Sequence, residues 1–152
     1  MTVEQVANGV RGLARLHSAY WGARLTDNPA LGWVEPFVAF DGMQYAPLDI
    51  ARERSGDTVP AEILALTGEQ LFIDIWARYI GTLTTSPQTL LHGDPHIGNT
   101  HVLPDDDVGF LDWQMARRGN WSLDLGYFLQ GALTIEDRRA ASLSCSMSTA
   151  LR

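Results

Sequence analysis

Leu90-Leu-His-Gly-Asp-Pro-His-Ile-Gly-Asn99, followed after a short gap by Phe110-Leu-Asp-Trp-Gln114, is the stretch that decides how the chain is read. Its polar chemistry is concentrated in Asp94, Asn99 and Asp112, held between apolar segments that read as strands. Leu90 and Leu91 lead in, and Gly93, Pro95 and Gly98 break the next residues into a loop. Such a loop presents polar side chains at a strand end instead of burying them.

Moving a phosphoryl group from a nucleotide needs few parts. A carboxylate must orient and deprotonate the attacking hydroxyl, and oxygen ligands must hold the magnesium ions that bridge the phosphates. Asp94 is placed to be the base, Asn99 offers a neutral carbonyl oxygen to a metal, and Asp112 offers an anionic one. If strand pairing continues regularly, Val108, Phe110 and Asp112 share one face, and the carboxylate emerges beside the loop of Asp94 and Asn99.

His-Gly-Asp-x-His-x-x-Asn followed by Leu-Asp-Trp resembles the catalytic and metal-binding segments of the aminoglycoside phosphotransferase and choline kinase-like superfamily, distant relatives of the protein kinases. Two motifs in the same order across a hairpin-sized gap make the resemblance specific; His-Gly-Asp alone is weak. The resemblance implies a catalytic Asp94, with Asn99 and Asp112 as ligands of Mg2+. It implies ATP or GTP as phosphate donor and a hydroxyl of a small molecule as acceptor. Asp124, in Leu-Asp-Leu-Gly-Tyr, matches a buried carboxylate on the helix beneath the loop, and His92 and His96 would brace the loop by hydrogen bonding. Asp-Trp-Gln, where many aminoglycoside enzymes carry another acid, is also similar to the ecdysteroid kinase-like branch. The acceptor therefore stays open.

Each residue has a plainer role when taken singly. A loop Asp is usually a turn or cap residue, an Asn an Asx-turn, and Asp124 an N-terminal helix carboxylate. The alternation His92, Asp94, His96 also fits a metal-dependent hydrolase. That chemistry needs further ligands, and the other histidines are His17 in a helical pattern and His101 in a strand pattern.

At 152 residues the chain is long enough for one domain with a real core, and its 45% hydrophobic and 19% charged residues are ordinary for a globular protein. The formal net charge of −7 argues against nucleic acid or an acidic membrane as partner. The single cysteine, Cys145, excludes an internal disulfide. No apolar run approaches the roughly 18 residues of a membrane span, and no basic-then-apolar leader opens the chain. A cytoplasmic location is the expectation.

In chain order, Met1 to Trp21 reads as a helix with a capping box at Thr2 and Gln5 and an apolar stripe of Val6, Val10, Leu13, His17 and Tyr20. Residues 25–56 carry several prolines and should be irregular, with Trp33, Phe37, Phe40 and Tyr45 either pinning them to the core, the expected role, or lining a substrate pocket. Thr67 and Gln70 repeat the capping box and open a long amphipathic helix to Thr84, carrying Leu71, Phe72, Ile75, Trp76, Tyr79, Ile80 and Leu83. That helix is expected to be the spine under the catalytic loop. Residues 100–103 and 108–113 read as strands across the acidic turn 104–107. Arg117 and Arg118 stand where they can meet phosphate or simply solvent. Ser122 is the expected cap of a helix whose Leu123, Tyr127, Phe128, Leu129 and Leu133 bury against the long one.

The sequence thus predicts an α+β, mainly helical fold that resembles a protein-kinase-like C-terminal lobe over residues 1–138. The catalytic loop is placed at 90–100 and a metal-binding strand at 108–114, in a small β-hairpin that carries the metal site. Residues 139–152, rich in small polar residues, are expected to be a loosely ordered, truncated tail. All 11 basic residues are arginine, and no glycine-rich phosphate loop occurs. The N-terminal nucleotide lobe is therefore expected to be absent. That absence raises a second reading: a catalytically incompetent fragment that acts as a binding or interaction module.

Overall fold

The computed structural model describes residues 1–38, 46–55 and 58–141, with the backbone alone at 46–49 and 72. Among the described residues the fold is mainly helical with two small antiparallel sheets, an α+β arrangement. Two compact units are formed, Met1–Phe37 together with Pro87 onward, and Val38–Ser86.

In the first unit, α1 (Val3–Ala19) starts where Thr2 and Gln5 exchange hydrogen bonds. The Thr2 hydroxyl accepts from the Gln5 amide at 3.1 Å, and Gln5 Oε1 accepts from the Thr2 amide at 2.9 Å. These satisfy amides that a helix start leaves without partners. The helical period then buries Val6, Gly9, Val10, Leu13 and His17 on one face. Across that face lies α7 (Ser122–Ala132), and Val6, Val10, Leu13, Phe128 and Ala132 form the main core cluster. Gly9 lets the helices approach, since a Cβ there would lie 2.6 Å from the Phe128 ring.

Phe128 and Ala132 of α7 project into the α1 stripe. One sequence expectation for α7 changes here. Its start is held by Asn120, whose Oδ1 accepts from the Ser122 amide at 3.0 Å, so Ser122 is the first helical residue and not the cap.

A second cluster of Leu25, Val34 and Leu90, flanked by Leu16, Tyr20 and Leu31, sits under α2 (Ala23–Thr26) and the single turn Pro29–Leu31. Of the aromatic residues expected to pin this region, Trp33 is 64% exposed and pins nothing. Phe37 is tied through its backbone: its amide donates to the Arg118 carbonyl at 2.8 Å, and its Cβ lies near Gly119. Phe40 and Tyr45 lie outside the described residues.

Strand β1 (Thr89–Leu91) pairs antiparallel with β4 (Arg117–Gly119), with Thr89 opposite Gly119 and Leu91 opposite Arg117. Strand β2 (Thr100–Val102) pairs antiparallel with β3 (Val108–Phe110), with Thr100 opposite Phe110. The acidic turn between them is tied to α1: Gln5 Nε2 donates to Asp106 Oδ1 at 3.0 Å and Asn8 Nδ2 to the Asp106 carbonyl at 2.9 Å. β3 ends at Phe110, short of the predicted 108–114 strand. Asp112 stands beyond it in a left-handed conformation, φ 59° and ψ 67°. Strand alternation from Val108 and Phe110 therefore does not reach Asp112, which lies past the hairpin and not on its face.

The second unit contains α3 (Ala46–Ser55), α4 (Ala61–Leu64), α5 (Gly68–Gln70), a π-helical stretch Leu71–Ala77, and α6 (Arg78–Leu83). The capping box at Thr67 and Gln70 forms, with bonds of 3.1 and 2.8 Å. Past this cap the sequence predicts a regular α-helix, and the chain departs from it. Winding with i→i+5 bonds takes more than the 3.6 residues per turn of an α-helix, so the apolar period drifts round the axis. Ile75 and Tyr79 accordingly face solvent while Ile80 is buried.

Residues 135–141 are helical, and Thr134 Oγ1 accepts from the Asp137 amide at 3.1 Å. Residues 139–141 of the predicted loose tail are thus helical, and the remainder, with Cys145, lies outside the described residues. Among the described residues no helix is long and apolar enough to cross a membrane.

Candidate active site

β1 delivers a fully buried strand end into the loop that begins at His92. Gly93 makes the turn at φ +86°, a conformation that side chains disfavour. A Cβ at this position would lie 1.9 Å from the Met115 carbonyl oxygen, so the loop and the Trp113–Met115 turn touch backbone to backbone.

Two amides left pointing inward by this turn find one acceptor. Asp124, 1% exposed near the start of α7, takes the His92 amide on Oδ2 at 2.8 Å and the Gly93 amide on Oδ1 at 3.0 Å. His17 Nε2, from α1, lies 3.0 Å from the same Oδ2. The α1 backbone also holds the strand, since Thr89 Oγ1 donates to the His17 carbonyl at 2.7 Å. Within this unit the start of the loop is therefore held by α1 and α7, whose buried polar groups answer its amides and brace β1.

His92 is completely buried. Its Nδ1 accepts from the Asp94 amide at 3.3 Å, so Nε2 carries the proton and donates to the Leu111 carbonyl at 2.8 Å. The ring packs between Phe110 and Trp113, with centroids 5.6 and 4.5 Å away. With both nitrogens engaged, His92 has no lone pair for a metal. That removes the first ligand of the hydrolase alternative.

Beyond it, the loop closes on itself. The His96 amide donates to the Asp94 carbonyl at 2.9 Å and the Asn99 amide to the His96 carbonyl at 2.8 Å. Asn99 Nδ2 donates to both the Asp94 carbonyl, at 3.0 Å, and Asp94 Oδ2, at 3.2 Å. His96 Nδ1 accepts from the Gly98 amide at 3.0 Å, which in the neutral ring puts a proton on Nε2, 3.7 Å from Asp94 Oδ2. The loop's own donors thus converge on Asp94 Oδ2 and leave Oδ1 to other partners. The Asp94 side chain is 27% exposed.

Asp112 joins this group through its neighbour. The Leu111 amide donates to the Asn99 carbonyl at 2.8 Å, and the Leu111 carbonyl receives His92. The residue before Asp112 is therefore locked to the 92–99 loop from both sides. The Asp112 side chain is exposed and accepts from Gln114 Nε2 at 3.2 Å.

The structure brings Asp94, Asn99 and His96 into one hydrogen-bonded loop, and seats His92 on Asp124 behind it. It attaches Asp112 by backbone and shows no contact of its carboxylate with Asp94. Among the described residues no group of three or more His, Cys, Asp or Glu side chains gathers as a metal cage. The donor chemistry does fit a hard cation. Asn99 spends its NH2 on Asp94, which leaves its carbonyl oxygen without a partner among the described residues, and Asp112 adds an anionic oxygen.

Two residues escape sequence reasoning. Asn120 is signalled by its type and position before a helix. Tyr127, expected in the core, is 41% exposed and faces the loop, its ring edge-on to His96 with centroids 6.1 Å apart. No periodicity distinguishes it from a core residue.

The family model described as phosphotransferase enzyme family covers residues 3–143. No curated protein matches the chain.

Proposed function

Because the chain belongs to the phosphotransferase enzyme family, we propose that it is the catalytic-loop portion of a Mg2+-dependent kinase that transfers the γ-phosphoryl group of ATP or GTP to a hydroxyl of a small molecule. The observation that carries this reading is the state of Asp94: Asn99 bonds one oxygen of its carboxylate, with His96 Nε2 3.7 Å from the same oxygen, and no donor of the loop bonds Oδ1. In the step, the acceptor hydroxyl gives its proton to Asp94, and its oxygen forms a bond to the γ-phosphorus. The bond from that phosphorus to the bridging oxygen breaks, and the nucleoside diphosphate leaves. Asn99 and Asp112 would hold Mg2+, which supplies charge neutralisation along the phosphates.

The loop's own residues supply the remainder. Asp124 and His17 anchor its start, so Asp94 is presented from a backbone with few alternatives. The net charge of −7 makes nucleic acid and acidic membrane unsuitable partners.

The test uses purified chain, Mg-ATP and a panel of hydroxyl compounds, with phosphomonoester formation measured by phosphorus NMR. Wild type is expected to form an ester and Asp94→Asn to form none. Absence of both ester formation and an ATP-dependent melting shift in wild type overturns the enzyme reading. A second reading, a module that binds without transferring phosphate, is favoured by one feature: none of the 152 residues is a lysine that could grip the nucleotide. It requires a melting shift with no turnover.

A further inference from the structure

Three positions on one stripe of α7 track the catalytic loop in order. Asp124 receives His92 and Gly93. Tyr127, three residues on, meets His96 edge-on. Gly131, one turn farther, faces Ile97, whose Cγ2 would lie 3.9 Å from a Cβ built there. The spacing is that of one helix face. Its outer residues are accounted for, one by the loop amides and the other by ordinary packing on Ile97. Tyr127 is the one residue in the middle, and it is half exposed where a core position is expected.

We propose that Tyr127 is a positioning residue for Asp94: with His96 it forms the wall that fixes the orientation of the Asp94 carboxylate toward the acceptor. This rests on the phosphotransfer reading for the role of Asp94, though not for the contact itself. His96 cannot turn freely, because its Nδ1 is held by the Gly98 amide. Its ring is backed by Tyr127, so the Nε2 proton stays directed at Asp94 Oδ2. The phenol itself senses the carboxylate. Partial burial first, then the Asp94 charge and hydrogen bonding to that carboxylate, raise the Tyr127 pKa above its ordinary value. A neutral donor beside a carboxylate restrains it without neutralising it, which is what a general base needs.

The test has two arms on the full chain. In the first, 13C-labelled tyrosine and aspartate are observed by NMR at neutral pH. Tyr127→Phe is expected to shift the Asp94 carboxyl resonance and Asp94→Asn the Tyr127 ring resonance, while Tyr79→Phe moves neither. Mutual indifference of the two signals overturns the proposal whether or not the chain is an enzyme. In the second, Mg-ATP turnover is measured with hydroxyl acceptor present. Tyr127→Phe is expected to lower kcat about tenfold and leave KM for Mg-ATP within about twofold, the pattern of an interaction made in the transition state. An unchanged kcat overturns the positioning role. A wild-type chain without turnover overturns the phosphotransfer reading instead, and the first arm then decides the Tyr127 contact alone.

Discussion

Asp124 Oδ2 accepts the amide proton of His92 across 2.8 Å, joining two residues that are 32 positions apart and both almost completely buried. The same carboxylate takes Gly93 and faces His17. One side chain thus satisfies the inward-pointing donors of the loop, and removing it strands them. Asp124→Ala is expected to cost about 3 kcal/mol, from buried donors left unpaired. Asp124→Asn, which keeps an acceptor oxygen, should cost less. Urea unfolding of the three proteins measures this, and equal midpoints would show that the clamp adds nothing net.

Gly93 offers a backbone test of the same loop. Alanine there must adopt φ near +86° and also displace the Met115 carbonyl. Strain of this kind costs about 1–3 kcal/mol. Gly93→Ala is therefore expected to lower both the unfolding midpoint and nucleotide turnover, whereas Gly126→Ala, with open space around it, should lower neither.

Asp94→Asn separates chemistry from folding. Asparagine can still receive Asn99, and the site is partly exposed, so the thermal midpoint should stay in place. Turnover should fall by about 10²–10⁴, the usual contribution of a general base. A variant that unfolds earlier while keeping its turnover would make Asp94 a structural residue.

Asp112 sits in a left-handed conformation that asparagine tolerates better than most residues. Asp112→Asn should therefore fold normally and require more Mg2+ for half-maximal turnover, since an anionic oxygen is exchanged for a neutral one. A magnesium titration of the two proteins checks this, and an unchanged requirement would remove Asp112 from the metal set.

Alkaline stability carries a defined sign. The Tyr127 pKa is raised in the folded chain, so the stability linked to it is complete below the unfolded value of 10.0 and is lost as pH rises through the folded value. Asp94→Asn removes the charge but not the burial, which is the larger cause. The Tyr127 titration should move down in that variant without reaching 10.0, as measured by tyrosine NMR between neutral and alkaline pH.

Much of this protein is local and legible in the residues. The capping boxes at Thr2 and Thr67, the α1 stripe and the turn at 104–107 each depend on neighbours within a few positions. Spacing therefore reveals them. The order His-Gly-Asp, Asn, Asp-Trp likewise identifies the family that the comparison shows. The middle of the 67–84 run is not legible, because its composition suits an α-helix and only the i→i+5 winding turns Ile75 and Tyr79 outward.

By itself, then, the sequence determined the α+β class and the family. Only the tertiary structure decided that His17 and Asp124 meet under that loop, that Tyr127 faces it, and that Asp112 is held through Leu111 beyond the end of β3. The physical reason is the range of the forces involved. Helix caps and apolar periods are written into adjacent residues, whereas a buried carboxylate selects its donors only after α1 and α7 have packed and excluded water from their contact.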